Sequence, residues 1–234
     1  MGVVGIDSEL MERERHIGVD AEDWDYALLK VETSYGIKFQ NNELAHVRTM
    51  GQLLDVIDAK IPGRNEHDCT SQQAFYRLRT ALATQLNIDP GMILPDGMLD
   101  TVVPRKGRRR TIAQVEFHVG APLDVLGMKQ WMMILLAALF LGSLVCFIWS
   151  DRLALLGLGS FGVLLGMALL TAKEFKVSTV GDLAERLSQR SYRAMRRDYA
   201  SVNRKELRGK LKQLFQDELG LAPDELREDI LLVP

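Results

Sequence analysis

The sequence predicts an all-α protein in which helical cytoplasmic units hang from a two-helix transmembrane hairpin, and three observations carry that prediction. The stretches 131–149 and 153–172 are apolar and uncharged, separated only by Ser150, Asp151 and Arg152. At 1.5 Å per residue each reaches across a hydrocarbon core of about 30 Å. Outside them, apolar residues recur at helical spacing between Gly, Pro and Thr punctuation, and no stretch alternates as a half-buried strand does. Third, several segments recur along the chain with their punctuation intact.

The hairpin sets the topology. Helices buried in a soluble core are usually amphipathic and shorter than these stretches, so the pair is read as spanning. Arg105, Lys106, Arg108, Arg109, Arg110 and Lys129 precede the first stretch, and Lys173 and Lys176 follow the second. The positive-inside bias therefore places both termini in the cytoplasm, as a two-pass protein of the inner (cytoplasmic) membrane. The residues from Met1 to Leu10 have no basic start and too short an apolar run for a cleavable signal, so the hairpin itself is expected to direct targeting.

The net charge of −2 hides a split, because residues 1–62 carry 12 acidic against 6 basic side chains while the segments flanking the hairpin are mildly basic. Basic surfaces beside the hairpin suit anionic headgroups, and nothing in this balance points to nucleic acid. Two cysteines, Cys69 and Cys146, exclude a disulfide framework.

Taken in order, Trp24, Leu28, Val31 and Tyr35 form the stripe of a helix ending at Gly36. Thr49 caps a second helix with Met50, Leu53, Leu54 and Ile57 facing inward, closed by Pro62 and Gly63. Thr70 and Gln73 stand in capping-box spacing before a helix with Phe75, Leu78, Leu82 and Leu86, and Asp89-Pro90-Gly91 breaks it. The run from Arg105 to Arg110 opens a helix through Val119, ended by Gly120 and Pro122. Beyond the hairpin, Thr179 caps a helix with Val180, Leu183 and Leu187 that continues through Tyr192, Met195 and Tyr199. Asn203 and Glu206 open the last helix, with Leu207, Leu211, Leu214, Phe215 and Leu219 on one face and Gly220 at its end.

Three of these segments occur twice. Val47, Thr49, Met50, Gly51, Leu53 and Ile57 recur, evenly displaced, as Val177, Thr179, Val180, Gly181, Leu183 and Leu187. Glu32, Tyr35, Gly36 and Phe39 recur as Glu116, Val119, Gly120 and Leu123. Leu78, Leu82, Leu86, Pro90, Ile93 and Asp96 recur, again with one displacement throughout, as Leu211, Phe215, Leu219, Pro223, Leu226 and Asp229. One unit then comprises 70–127 with 176–190, split by the hairpin at 131–172. The other comprises 17–61 completed by 203–234, a circular permutation in which the last helix packs on the first; exchange between two chains satisfies the same pattern.

The order of these segments, with a long loop after the first helix, resembles an acyl carrier protein, carried by Glu32, Tyr35-Gly36-Ile37, Thr49-Met50-Gly51, Thr179-Val180-Gly181-Asp182-Leu183 and the stretch from Leu211 to Leu232. The resemblance implies two four-helix bundles and, in the family, a serine in an Asp-Ser-Leu motif that is esterified by phosphopantetheine. Here that motif falls on Asp20-Ala21-Glu22, and in the second unit on the basic run from Arg105 to Arg110. Alanine offers no hydroxyl, so phosphopantetheine is not expected. Asp7-Ser8-Glu9-Leu10 supplies the alternative serine, Ser8, only if the helix register moves from Ala21 to Ser8.

No catalytic or metal site emerges. Glu66-His67-Asp68-Cys69 is a consecutive run without a second ligand pair, and His16, His46 and His118 stand alone. The expected contact surfaces are acidic, Asp20, Glu22, Asp23 and Asp25, and basic, Arg105, Lys106, Arg108, Arg109 and Arg110, the latter toward lipid headgroups. Small residues at Ala138, Gly142 and Cys146 and at Gly162 and Gly166 allow close helix approach within the hairpin or between copies. The reading is a membrane-tethered, non-catalytic interaction or scaffold module, whose protein partner the sequence does not name. A carrier modified at a non-standard serine and an oligomeric pore or effector are the alternatives.

Overall fold

The structure, a computed structural model, describes residues 18–148 and 150–232. Ser8 and Trp149 lie outside the described residues. In chain order the helices are α1 (Ala21–Tyr35), α2 (Met50–Lys60), α3 (Thr70–Leu86), α4 (Leu99–Val102), α5 (Arg108–Val119), α6 (Gln130–Cys146), α7 (Asp151–Thr171), α8 (Val180–Arg190), α9 (Tyr192–Met195) and α10 (Arg204–Leu219). The strands β1 (Arg64–Asn65), β2 (Leu126–Gly127), β3 (Glu174–Phe175) and β4 (Ser201–Val202) are two residues each; β1 pairs with β4 in parallel and β2 with β3 antiparallel. The chain is thus mostly helical, and these short ladders are too brief to leave an alternating pattern in sequence.

Two compact units divide the chain, Met1–Leu78 with Ala184–Pro234 and Arg79–Leu183. In the first, Ala27, Val31 and Tyr35 of α1, Met50, Leu53, Leu54 and Ile57 of α2 and Leu207, Leu211, Leu214 and Phe215 of α10 share one core. α10 packs on α1 and α2 of the same chain, with Trp24 and Phe215 ring centroids 5.7 Å apart. Thr49 and Gln52 close the capping box of α2. The expected cap of α3 differs. Thr70 is already helical, and its N–H and that of Ser71 donate to the Glu206 carboxylate at 2.9 and 3.2 Å. Glu206 therefore does not reach back to Asn203, because two orphan donors at the start of a 17-residue helix attract a carboxylate more than one does. The run after Thr179 also breaks: Ser191 (φ −139°, ψ 42°) separates α8 from α9, and Tyr199 is exposed.

The repeated segments carry the same backbone bonds. In the first unit Met50 N–H donates to Ile230 O (3.1 Å), Gly51 N–H to Glu228 O (2.9 Å) and Leu232 N–H to Arg48 O (2.9 Å). In the second, Val180 N–H donates to Gly97 O (3.0 Å), Gly181 N–H to Pro95 O (2.7 Å) and Leu99 N–H to Ser178 O (2.9 Å). Every donor and acceptor is shifted by the same displacements that relate the sequences, the one from Thr49 to Thr179 or the one from Pro90 to Pro223. The ends of α1 and α5 match too: Gly36 and Gly120 have φ of 66° and 74°, and Glu32 and Glu116 accept from Phe39 N–H (2.6 Å) and Leu123 N–H (2.8 Å). After α3 and α10, the turns Pro90–Met92 and Pro223–Glu225 correspond.

In the second unit α6 and α7 pack as a hairpin, Phe140 against Phe161 at 5.2 Å. The close approach is at Gly157, where a Cβ would lie 2.6 Å from that of Ser143; Gly142, Gly162 and Gly166, the expected positions, have nothing within 4 Å. Among the described residues only one helix, over Arg152–Thr171 with mean hydropathy 2.2, is long and apolar enough to cross a membrane. The expected first span is shorter than 131–149, since α6 stops at Cys146. Phe147 N–H and Ile148 N–H bond to Leu144 O and Val145 O, tightening the last turn so that the chain can reverse before α7.

A Cβ at Gly51 or Gly181 would lie 2.9 or 2.8 Å from the carbonyl oxygen of Glu228 or Pro95. Gly51→Ala and Gly181→Ala should therefore each cost about 1–3 kcal/mol in denaturant unfolding, and by similar amounts, since both strain the same backbone contact.

Candidate functional site

Ala21 is exposed at the start of α1. Ala21 is the first helical residue after Asp20, whose side chain makes no capping bond. Glu22 and Asp23 lie in the first turn, where carboxylates complement the helix dipole. The side chains of Asp20, Glu22, Asp23 and Asp25 are all exposed and make no ion pair among the described residues. The acidic face is therefore open to solvent along one helical turn.

The basic run is organised differently from one solvated cluster. Gly107, with φ 79°, opens α5 without a side-chain cap, and Arg108, Arg109 and Arg110 follow in the first turn, where their charge opposes the helix's own dipole. Arg108 answers this by burial: it is 2 % exposed, donating to Val103 O from Nη2 (2.9 Å) and Nε (3.2 Å) and to Lys173 O from Nη1 (2.7 Å). Its Nη2 also pairs with Asp100 at 2.7 Å, and the guanidinium stacks 4.3 Å from the Phe175 ring centroid. This corrects the expectation of a headgroup contact, because the Arg108 guanidinium is buried inside the second unit and its Nε, Nη1 and Nη2 all donate there.

Arg109 donates to Leu169 O at 2.6 Å and to Leu170 O at 2.5 Å. Those carbonyls belong to the last turn of α7, the negative end of a 21-residue helix dipole, so a cation ill placed on α5 is well placed for α7. Arg105 pairs with Glu174, Lys129 stands 3.9 Å from the same carboxylate, and Lys176 pairs with Asp124 at 2.8 Å. With β2 and β3 joined, these contacts bind the foot of the hairpin into its unit. Lys106 and Arg110 remain exposed without ion pairs among the described residues.

Sequence spacing missed Asp100, Glu174 and the α7 carbonyls. One signal was present: the displacement that carries Glu32 to Glu116 also carries Trp24, which packs on Phe215, to Arg108. The position is therefore an inward-facing one, and an arginine there has to find partners under the surface.

The loop with Glu66, His67, Asp68 and Cys69 leads from β1 into α3, its Asp68 carbonyl accepting from Asn203. No group of three His, Cys, Asp or Glu side chains that could hold a metal occurs among the described residues. Ser71 Oγ donates to Glu185 and accepts from Lys210, each at 2.6 Å, and Lys210 is itself ion-paired with Glu185. Arg208 and then Lys212 hydrogen-bond Glu228, holding its carboxyl at about 2, well below the usual carboxylate range. Compared with family models, with curated proteins and with solved structures, the chain matches none.

Arg108→Leu should cost about 2–4 kcal/mol in unfolding, since two buried carbonyls lose their donors, whereas Arg110→Ala should stay within about 0.5 kcal/mol. Because Glu228 titrates lower in the folded chain than when unfolded, where a glutamate sits at about 4.3, its contribution is complete above that value and disappears as pH falls toward 2. Glu228→Gln should flatten the fall in stability over that acid window in pH-dependent unfolding of the first unit.

Proposed function

We propose that the chain is a membrane-anchored, non-catalytic interaction module: two degenerate acyl-carrier-like bundles, the first circularly permuted and the second split by a hairpin that crosses the bilayer twice. The observation that carries the reading is the bare surface of that hairpin. Large apolar side chains stand exposed along it from Trp131 to Leu170, among them Ile148 at 81 % and Leu170 at 72 %. Water does not tolerate so large a continuous apolar surface, whereas acyl chains do. α6, at 17 residues, rises about 25 Å, and tilt or local thinning of the bilayer absorbs the shortfall. Arg105, Lys106, Lys129, Lys173 and Lys176 stand at the foot of the hairpin, which favours both termini in the cytoplasm.

The carrier-like reading is supported by the backbone bonds shared by the two units and by the exposed first-turn position at Ala21, where the family places its serine. With alanine there, the bundle keeps a carrier's outline without its chemistry. The acidic turn from Asp20 to Asp25 then serves as a recognition surface for a protein partner, and Lys106 and Arg110 for anionic lipid. The open positions at Gly162 and Gly166 support a second element of the reading, self-association of hairpins in the membrane.

In a chain with Cys69 and Cys146 replaced by serine, Arg152→Cys should react with a membrane-impermeant maleimide in intact cells, and Lys176→Cys only after permeabilisation. Reaction of both from one side sinks the two-pass topology. Co-expression with a phosphopantetheinyl transferase should leave the intact mass unchanged; a gain of one phosphopantetheine would replace the scaffold reading with that of a carrier.

A further inference from the structure

At Met92 and Leu94 the second unit presents apolar side chains where the first, on the same backbone, presents charges. Met92, Leu94 and Met98 are 75 %, 55 % and 56 % exposed. Under the displacement that relates Pro90 to Pro223, their counterparts are Glu225, Arg227 and Leu231, of which the first two are exposed and charged. The backbone beneath the two loops is the same, including the bonds from the start of α2 and of α8. The fold therefore does not require an apolar residue at Met92 or Leu94, whereas the Met98 position is apolar in both units.

The loop is also held rigid. Ile93, between Met92 and Leu94, and Leu99, next to Met98, are fully buried. Asp89 caps the turn at Gly91 N–H (2.9 Å), Leu94 O accepts from Gly97 N–H (3.0 Å), and Met98 bridges Thr179. The three side chains are thus offered on a pre-ordered surface, and little entropy is lost when something covers them.

Charge selects the occupant. From Thr80 to Pro104 the chain has three aspartates, Asp89, Asp96 and Asp100, and no lysine or arginine. Asp100 is neutralised by Arg108, while Asp89 and Asp96 stay exposed. An anionic leaflet repels such a loop; the basic residues at the foot of the hairpin are where headgroups are favoured. We infer that the surface of Met92, Leu94 and Met98, flanked by Asp89 and Asp96, docks a basic amphipathic helix of a protein partner, the unbranched methionines adapting to its apolar face. This rests on the reading of the chain as an interaction module and gives that reading a partner chemistry.

The test uses the full chain in phosphatidylcholine nanodiscs with ¹³C-methyl methionine, titrated with a synthetic leucine–lysine peptide of helical periodicity and with its leucine–glutamate counterpart. The expected result is that the basic peptide shifts the Met92 and Met98 methyl resonances and the acidic one does not. Met92→Glu with Leu94→Arg, the residues that the first unit carries at these positions, should weaken the basic peptide at least about tenfold. Met92→Gln with Leu94→Gln, which leaves the charge unchanged, should do the same with an unaltered melting curve. Equal binding of both peptides, undiminished binding by both variants, or broadening of these methyls by spin-labelled lipid without peptide would overturn the proposal. The maleimide topology experiment does not depend on these residues, so failure here leaves the membrane reading standing.

Discussion

Two helices in this chain start against carbonyls supplied by a loop from elsewhere in their unit, and the architecture follows from that constraint. The first N–H groups of a helix have no partner within it. At α2 and α8 a side-chain box satisfies part of the need, and the backbone of the loop that follows α10 or α3 satisfies more. The loop comes so near that only glycine fits at Gly51 and Gly181. Such bonds depend on where the loop lies in space and are indifferent to where it lies in sequence. One unit obtains its loop from upstream and the other from the far side of the chain, which is how both keep the same interior contact.

The arginines of α5 show how the second unit holds its apolar helices. A charged run at a helix N-terminus is unfavourable by itself. Here Arg108 turns inward to the carbonyls of Val103 and Lys173, and Arg109 reaches the closing turn of α7. α7 is thereby joined to the rest of its unit by directional bonds as well as by β2 and β3, so the apolar helices are an extension of the unit and not a loose tether.

Much of this was legible in sequence. Helix ends marked by Gly36, Gly120 and Gly220, the box at Thr49, and the recurrence of Thr-x-Gly each encode a local backbone requirement that one residue type meets. What stayed hidden was non-local. Nothing around Glu206 says that its carboxylate serves Thr70 and Ser71, and the basic run from Arg105 to Arg110 reads as a solvated face until one of its arginines is seen to occupy a core position. The end of α6 is invisible to hydropathy, which continues through Phe147 and Ile148 after the helix has stopped, and a tight reversal leaves no polar mark. The acidic turn at Asp20 and the exposed Ala21 were located by position, but side chains that make no ion pair among the described residues have no structural signature beyond their exposure.

Interleaving of the first unit has a temporal consequence. α1 and α2 leave the ribosome before α10, the helix toward which Val31, Met50, Leu54 and Ile57 are turned and which is translated only after the hairpin. Throughout that interval the amino-terminal segment has no complete core to condense around, and it must wait, open to chaperones and proteases, while the middle of the chain is already able to close. Any interruption of synthesis before Arg204 would thus leave α1 and α2, although already made, without the helix that closes their core.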